Sequence, residues 1–326
     1  MNSAAASPRV TRRLRPDQTA EAAAILSAGG TLAFPTETVY GLGADATSGE
    51  AVAGVYAAKN RPRFNPLISH LPDAGAAFAH GVFNADARRL ADAFWPGPLT
   101  LVVPFAESSA ISDLARAGLP SVALRVPRHA IARELLRAAS RPIVAPSANR
   151  SGHVSPTTAA HVLADLDGAI DAVLDGGATE VGVESTIIAC LGDPPQLLRA
   201  GGVPRDQIEK LLGRPLGVSE GAIIAPGMLA SHYAPAAALR LDAVEIKPGE
   251  AALLFGPHAP AGVERAKLAI NLSPKGDLAE AASRLFAALR ECDAAGVAAI
   301  AVAPIPDHGL GEAIRDRLIR AAAPRS

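Results

Sequence analysis

The stretch TLAFPTETVYGLG, residues 31–43, changes from an apolar run to a loop of polar residues and glycines, and it indicates the fold class. Thr31–Phe34 is short and apolar, which predicts a buried strand. Before it, Asp17 can cap a helix that extends to the pair Gly29-Gly30. Helix followed by strand continues along the chain, and this alternation predicts an α/β fold with a twisted, open, mixed sheet.

The predicted elements form two groups, in keeping with a length of 326 residues, which favours two domains. In the first group we expect helices at 49–58, 85–94, 131–139 and from after 156 to about 166, and strands at 67–70, 99–103, 122–126, 143–145, 172–174, 186–189 and 196–198. In the second we expect strands at 251–255, 266–270 and 298–302, and helices at 278–294 and 311–322.

The segment between the two groups is rich in proline and glycine and has no amphipathic period, which is typical of an ordered linker. We therefore predict a first domain at 17–213, a linker at 214–238 and a smaller, Rossmann-like α/β domain at 239–326.

Charge and composition argue against several classes of protein. A formal net charge of -1 gives no overall attraction to a polyanion, so tight, autonomous RNA binding is disfavoured. Cys190 and Cys292 form no CxxC pair, which predicts a reduced compartment, the cytoplasm, and no zinc site. No apolar run reaches the ~20 residues of a membrane-spanning helix. Residues 1–16 carry four arginines and no acidic residue, which predicts a frayed basic terminus or, alternatively, a transit peptide.

The common nucleotide and hydrolase motifs do not account for the sequence. GxxxxGK[ST], HExxH, GxSxG and SxxK are all absent. Residues 41–46 satisfy GxGxxA, but they lie seven residues beyond the end of the predicted strand instead of at a strand-to-helix turn. We therefore do not interpret them as a dinucleotide fingerprint.

Polar residues cluster at the ends of apolar strands, where open α/β sheets place ligand crevices. The four clusters lie at 35–43, 59–70, 121–127 and 145–157. In the first, glycines would let the backbone approach a ligand. In the second, Lys59 and Arg61 either bind an anion or form a solvated cationic helix end, and His70 either binds a ligand or is satisfied within the fold.

Arg125 interrupts an apolar strand in the third cluster. An unpaired buried charge costs several kcal/mol, so this guanidinium must find an anion. Either a ligand or a structural carboxylate inside the fold would satisfy it.

Eight segments, in this order, resemble the YrdC-like family: PTETVYGLG, KNRP followed by NPLI, WPGPLT, VALRVP, APSAN, VSPT, VESTI and LLRAG. The resemblance covers residues 17 to about 213. Residues 226–235, PGMLASHYAP, are similar to the linker of the two-domain synthases of this family. In the second domain the resemblance is fainter and rests mainly on residues 309–318.

The resemblance implies a nucleotidyltransferase that converts L-threonine, bicarbonate and ATP to threonylcarbamoyl-AMP and pyrophosphate, with Mg²⁺ accompanying the nucleotide. The product would serve threonylcarbamoyladenosine synthesis at position 37 of tRNA, so the expected partners are the downstream tRNA threonylcarbamoyl-transfer machinery and a weak tRNA contact, with no membrane. A carbamoyl-transfer enzyme and an RNA-binding YrdC-like module are the alternatives.

The resemblance also implies roles for individual residues. The catalytic cations would be Lys59 and Arg61, and His70 is the only plausible general base. The predicted L-threonine site comprises Thr36, His70, Arg125, Ser147 and Ser185. The predicted ATP site comprises Lys59, Arg61, Asn65, Ser121, Asn149, Ser155, Arg199, His232 and Tyr233. No metal site made by the protein is predicted.

His232 and Tyr233 would reach back over the nucleotide, so that the linker acts as a lid. Two positions depart from the family's pattern. Ala200 stands where a proline is usual, which bears on the Arg199 assignment, and Asp316 stands where asparagine is expected.

Overall fold

The structure is a computed structural model that describes residues 10–62, 65–218 and 232–324. Its strands form two sheets. The first is mixed, with strand order β1-β8-β2-β3-β7-β4-β6-β5-β9-β10-β11. Its strands are β1 Arg12–Leu14, β2 Leu32–Pro35, β3 Tyr40–Asp45, β4 Ile68–His70, β5 Leu99–Pro104, β6 Ser121–Arg125, β7 Ile143–Val144, β8 Ala172–Leu174, β9 Thr186–Ala189, β10 Gln196–Arg199 and β11 Gly217–Val218.

Helices pack against this sheet. They are α1 Thr19–Ser27, α2 Gly49–Lys59, α3 Ala74–Phe78, α4 Ala85–Phe94, α5 Asp113–Arg116, α6 Ala130–Ala139, α7 Ala159–Leu166 and α8 Arg205–Leu212. Side-chain caps fix several of their starts; Ser48 begins α2 and Asn84 begins α4 by accepting a backbone N–H of the first turn. No described helix has the length and apolar character needed to span a bilayer.

The second sheet is parallel, with strand order β12-β15-β13-β14. Its elements are β12 Ala238–Arg240, β13 Ala251–Leu254, β14 Leu268–Asn271, α9 Leu278–Ala294, β15 Ala299–Val302 and α10 Leu310–Ala322. The expected α/β fold class, a mixed open sheet with a smaller Rossmann-like unit, is confirmed. The two units share one apolar cluster, in which Val39 and Val183 of the first pack with Tyr233 and Phe286.

One local expectation was wrong. Arg12–Leu14 is not a frayed end but pairs in parallel with β8, where Arg13 also forms an ion pair with Asp175. Residues 1–9 lie outside the described part of the chain. The glycines of residues 41–43 have a packing role, and their approach to a ligand stays a prediction. A Cβ on Gly41 would lie 2.9 Å from the Ala145 Cβ, and one on Gly43 would lie 2.9 Å from Phe34.

The sheet register brings the polar clusters together. β4 and β6 are parallel, and His70 lies directly opposite Arg125. Ile68 and His70 are alternate residues of β4, so both side chains project from the same face of the sheet. Ser185, which precedes β9, and Arg199, which ends β10, meet because these two strands are antiparallel. One face of the sheet therefore carries residues from several of the predicted clusters.

Candidate active site

A small cavity of about 40 Å³ lies where these segments meet. It is lined by Thr38, Val39, Arg61, Ile68, His70, Arg125, Ala145, Pro146, Ser147, Glu184, Ser185, Arg199, His232 and Tyr233. The lining includes eight of the predicted site residues. The predicted residues outside the lining are Thr36, Lys59, Asn65, Ser121, Asn149 and Ser155.

Arg125 has a carboxylate partner inside the fold. This is one of the two alternatives that the sequence left open, the other being a ligand. Its Nη2 donates to Glu37 Oε1 at 2.7 Å and its Nη1 donates to Thr38 Oγ1 at 2.9 Å. Burial alone would raise the pKa of Glu37, but the Arg125 charge and hydrogen bonds outweigh burial and hold that pKa below its usual value. Because Arg125 also lines the cavity, the ion pair fixes a guanidinium beside the space where a ligand would lie.

Two further buried arginines line the same cavity. Arg61 donates to the Pro66 carbonyl at 3.4 Å, and among the described residues its Nε has no hydrogen-bond partner. Burial lowers the pKa of Arg61 to about 10. Arg199 donates from Nε and Nη2 to the Ser185 carbonyl, at 3.1 and 3.0 Å. A buried guanidinium with an unused donor is suited to an anionic ligand.

Lys59 is also buried, so the interpretation of Lys59 and Arg61 as a solvated helix end is wrong. The Lys59 ammonium donates to the carbonyls of Ser147 and Asn149. Burial, followed by the Arg61 charge, lowers its pKa well below the usual value. In this arrangement Lys59 fixes the loop that supplies Ser147 to the cavity, and a direct phosphate contact stays a prediction.

Most of the predicted residues outside the lining support it. Thr36 Oγ1 donates to the Val39 carbonyl at 2.7 Å and so shapes the turn between β2 and β3. Asn149 Nδ2 donates to the His153 carbonyl at 2.6 Å. Asn65 is buried, and neither atom of its amide finds a partner within the described segments.

Ser121 and Ser155 complete the predicted set. Ser121 begins β6, four residues before Arg125, so it lies toward the other end of that strand. Ser155 is buried beside the cavity, and its hydroxyl contacts Glu184, whose carboxylate lines the cavity.

His70 is a neutral, buried histidine. Its Nδ1 lies 3.2 Å from the Ile68 carbonyl, and since a carbonyl only accepts, Nδ1 carries the proton. Burial, followed by the Arg125 charge, lowers the pKa of His70 to about 3. A group with so low a pKa has little tendency to take a proton at neutral pH. His70 therefore suits hydrogen bonding to a substrate better than the general-base role that the sequence suggested.

The low pKa of His70 predicts a pH-dependent loss of stability. Between about pH 7.5 and about pH 5.5 the unfolded chain gains the imidazole proton while folded His70 does not, so His70 lowers the free energy of unfolding by about 1.4 kcal/mol as pH falls. Chemical denaturation at both pH values should show a total decrement that is smaller by this amount in His70→Gln than in the parent. His258→Gln, at an exposed histidine, is the control and should behave like the parent. An unchanged decrement in His70→Gln would contradict the assignment.

Sequence reasoning missed three important residues: Glu37, Thr38 and Glu184. Glu184 lines the cavity, and its Oε1 accepts the Ser155 hydroxyl at 2.5 Å. Burial would raise its pKa, but the charges of Arg317 and Arg199 outweigh burial and keep the pKa below its usual value. The signal was present in the segment Gly182–Thr186, where an acidic residue precedes an apolar strand. Within the described ranges, no three His, Cys, Asp or Glu side chains are grouped to hold a metal ion.

His232 and Tyr233 close one side of the cavity. Their ring centroids are 4.0 Å apart, and Tyr233 stacks on Phe286 of α9 at 5.7 Å. A second cavity, of about 520 Å³, shares His232 and is also lined by Ser151 and Arg290. The preceding part of the expected lid, residues 219–231 with the Pro226 motif, lies outside the described residues.

Comparison with known proteins gives the family. Residues 24–201 match the family described as Telomere recombination, and residues 203–323 match the family described as Threonylcarbamoyl-AMP synthase, C-terminal domain. The threonylcarbamoyl-AMP synthase of Bacillus subtilis (strain 168) is 42% identical over 328 residues, covering 94% of this chain and 94% of that protein.

Solved structures agree with this match. The crystal structure of P. abyssi Sua5 complexed with L-threonine has a TM-score of 0.85 and 36% identity, covering 96% of this chain and 97% of that one. E. coli YciO shares the fold, with a TM-score of 0.52 at 19% identity, over 59% of this chain and 96% of that chain. The sequence, the fold and the matches over both halves together show that the chain belongs to the threonylcarbamoyl-AMP synthase family.

Proposed function

We propose that this protein converts L-threonine, bicarbonate and ATP to threonylcarbamoyl-AMP and pyrophosphate, and so supplies tRNA threonylcarbamoyladenosine synthesis. One observation supports the proposal beyond family membership: three buried guanidiniums, those of Arg125, Arg61 and Arg199, line the same cavity. A site with cations for both an amino acid and a nucleotide suits a reaction that joins them.

L-Threonine would bind at the β4–β6 side of the cavity. The Arg125 guanidinium, held by Glu37, would bind the substrate carboxylate, and neutral His70 would add a hydrogen bond. Ser147 and Ser185 line the same space and offer hydroxyls to the substrate's polar groups. Bicarbonate would bind beside the substrate amine, where a carbamate can form.

ATP would bind with its phosphates toward Arg61 and Arg199. Lys59, Asn65, Asn149 and Ser155 would shape the rest of the nucleotide site, whereas Ser121 lies too far along β6 to do so. Phosphoryl chemistry of this type depends on positioning and on cations that stabilise charge on the phosphate oxygens. The carbamate oxygen would attack the α-phosphorus while pyrophosphate leaves. The two arginines would stabilise the negative charge that develops.

Mg²⁺ would enter with the nucleotide and not in a cage made by the protein. Glu184 is the one carboxylate that lines the cavity within the described residues, and it is already engaged by Ser155 and Arg317. Mg²⁺ readily keeps waters and phosphate oxygens as ligands, and there it neutralises charge on the leaving pyrophosphate.

The cavity has room for only a few water molecules, so substrates need His232 and Tyr233 to move. This supports a lid role for the linker, residues 214–238, between a catalytic domain at 17–213 and an accessory domain at 239–326. A closed lid would protect a labile intermediate from water. The product would pass to a tRNA-modifying enzyme in the cytoplasm.

The proposal predicts pyrophosphate release from ATP that requires both L-threonine and bicarbonate. Omitting either substrate should reduce release to the background rate, and D-threonine should not replace the L-form. Release that ignores threonine would contradict the proposal and favour the carbamoyl-transfer alternative. Salt-sensitive tRNA binding without any ATP turnover would favour the RNA-binding alternative.

A further inference from the structure

Arg317 extends from α10 of the second unit to the edge of the cavity. It is the largest fully buried side chain among the described residues, with 0% of its surface exposed. Its Nε donates to Glu184 Oε2 at 2.9 Å, and its Nη1 donates to the Ala200 carbonyl at 2.6 Å. A single guanidinium therefore contacts a carboxylate of the cavity and the backbone next to Arg199.

Glu184 is held at both of its oxygens. Oε2 accepts from Arg317, while Oε1 accepts the Ser155 hydroxyl. The orientation of the Ser155 hydroxyl thus depends on a carboxylate whose own position is fixed from the second unit.

The same guanidinium packs against the aromatic residue that closes the cavity. The Arg317 Cζ lies 5.4 Å from the centre of the Tyr233 ring, which also stacks on Phe286. A cation near an aromatic ring is favourable, particularly where both are desolvated. The Arg317 guanidinium therefore contacts three groups at the same time: the Glu184 carboxylate, the backbone after β10 and the Tyr233 ring.

We propose that Arg317 is a positioning residue through which the second unit sets Glu184 and Tyr233 at the cavity, and this proposal rests on the synthase activity proposed above. Arg317 touches no substrate in this account. It acts by holding Glu184 and Tyr233, which line the cavity, so the accessory unit is part of the working site. An arginine from one unit that reaches the site of another gives the two-domain arrangement a direct role in the reaction.

A second ion pair also joins the two units, but it lies away from the cavity. Arg205 of α8 forms an ion pair with Glu312 of α10 at 2.5 Å, and both side chains are partly exposed. This pair joins the same helix to the first unit but does not line the cavity. It provides a matched control, because its loss weakens the contact between units without disturbing Glu184.

Loss of the Arg317 charge should change the protonation of Glu184. The charged or titratable groups that face Glu184 are Arg199, Arg317, Asp316, His232 and Tyr233. Without Arg317, the Arg199 charge alone among the cations named here still favours the ionised carboxylate, so Glu184 takes up a proton at higher pH. The acidic limb of the rate profile should therefore move to higher pH.

The test is a double-mutant cycle with Arg317→Met and Glu184→Gln, measured as pyrophosphate release. We expect Arg317→Met to lower kcat by roughly 100-fold and to move the acidic limb to higher pH, because the buried carboxylate loses its main partner. The loss in the double variant should be smaller than the two single losses combined, since Arg317 acts in part through Glu184. Glu312→Gln should keep the parent's rate and pH profile. Additive losses, or a normal pH profile in Arg317→Met, would overturn the proposal.

Hydrogen exchange of the resting protein separates this proposal from the proposed function. Peptides that contain residues 183–186 and 196–203 should exchange faster in Arg317→Met than in the parent, and Glu312→Gln should leave them unchanged. Arg317→Lys, which keeps the charge but not the two-point contact, should be intermediate if Arg317→Met folds poorly. If the parent releases no pyrophosphate, the synthase proposal fails. Independently of that result, unchanged hydrogen exchange in Arg317→Met would overturn the positioning role.

Discussion

Replacing Arg125 with alanine should abolish threonine-dependent pyrophosphate release and also destabilise the protein. Truncating one partner of a buried, hydrogen-bonded charge pair costs about 2–5 kcal/mol in binding, so kcat/KM for threonine should fall by roughly 30- to 4,000-fold. The free energy of unfolding should fall by about 3–5 kcal/mol, because Glu37 is left buried and unpaired. Steady-state kinetics at varied threonine and chemical denaturation measure the two effects.

A double variant separates substrate binding from folding. Arg125→Met combined with Glu37→Gln removes both charges, so stability should recover most of the loss. Threonine dependence should not recover, because the substrate carboxylate still lacks its guanidinium. A double variant that regains the parent's kcat/KM for threonine would show that Arg125 serves only to neutralise Glu37.

Replacing Arg61 with methionine should have the opposite effect on stability. Arg61 is a buried guanidinium, and its acceptor within the described part of the chain, the Pro66 carbonyl at 3.4 Å, is a weak one. Its removal should therefore leave the free energy of unfolding unchanged or raise it by about 1–3 kcal/mol, because an apolar side chain replaces a poorly compensated charge. Release of pyrophosphate should become at least roughly 100-fold less efficient in ATP, as expected for a lost charge-assisted contact to phosphate.

Ligand-induced stabilisation distinguishes an anion site from a structural cation. Pyrophosphate should raise the thermal midpoint of the parent and should not raise that of Arg61→Met. Arg137→Met, at an exposed arginine of α6, is the matched control and should respond to pyrophosphate like the parent. If Arg61→Met lost stability but kept its response to pyrophosphate, Arg61 would be structural and the phosphate assignment would be wrong.

Local sequence pattern predicted most of the elements, but it missed β3, one of the strands nearest the cavity. The bounds of α4 and α9 coincide with the predicted helices because caps and apolar spacing define them locally. β3 was missed because Gly41 and Gly43 weaken any strand signal. Those glycines are explained by the neighbouring strand and by Phe34, which sequence pattern does not reveal.

The cations of the site could be predicted, whereas their carboxylate partners could not. An arginine within an apolar strand signals its own need for an anion, which identified Arg125. Glu37 is 88 residues away from Arg125, and Glu184 is 133 residues away from Arg317. Only the strand order and the packing of α10 bring these pairs together, so no local rule could match them.

The most direct test of the account is to identify the product. The protein would be incubated with ATP, L-threonine and ¹³C-bicarbonate, and the nucleotide products would be resolved by mass spectrometry. The account predicts one species that contains AMP, threonine and the labelled carbon, formed in equal amount with pyrophosphate and missing in Arg125→Ala. AMP released without threonine, or a threonine adduct without the labelled carbon, would contradict it.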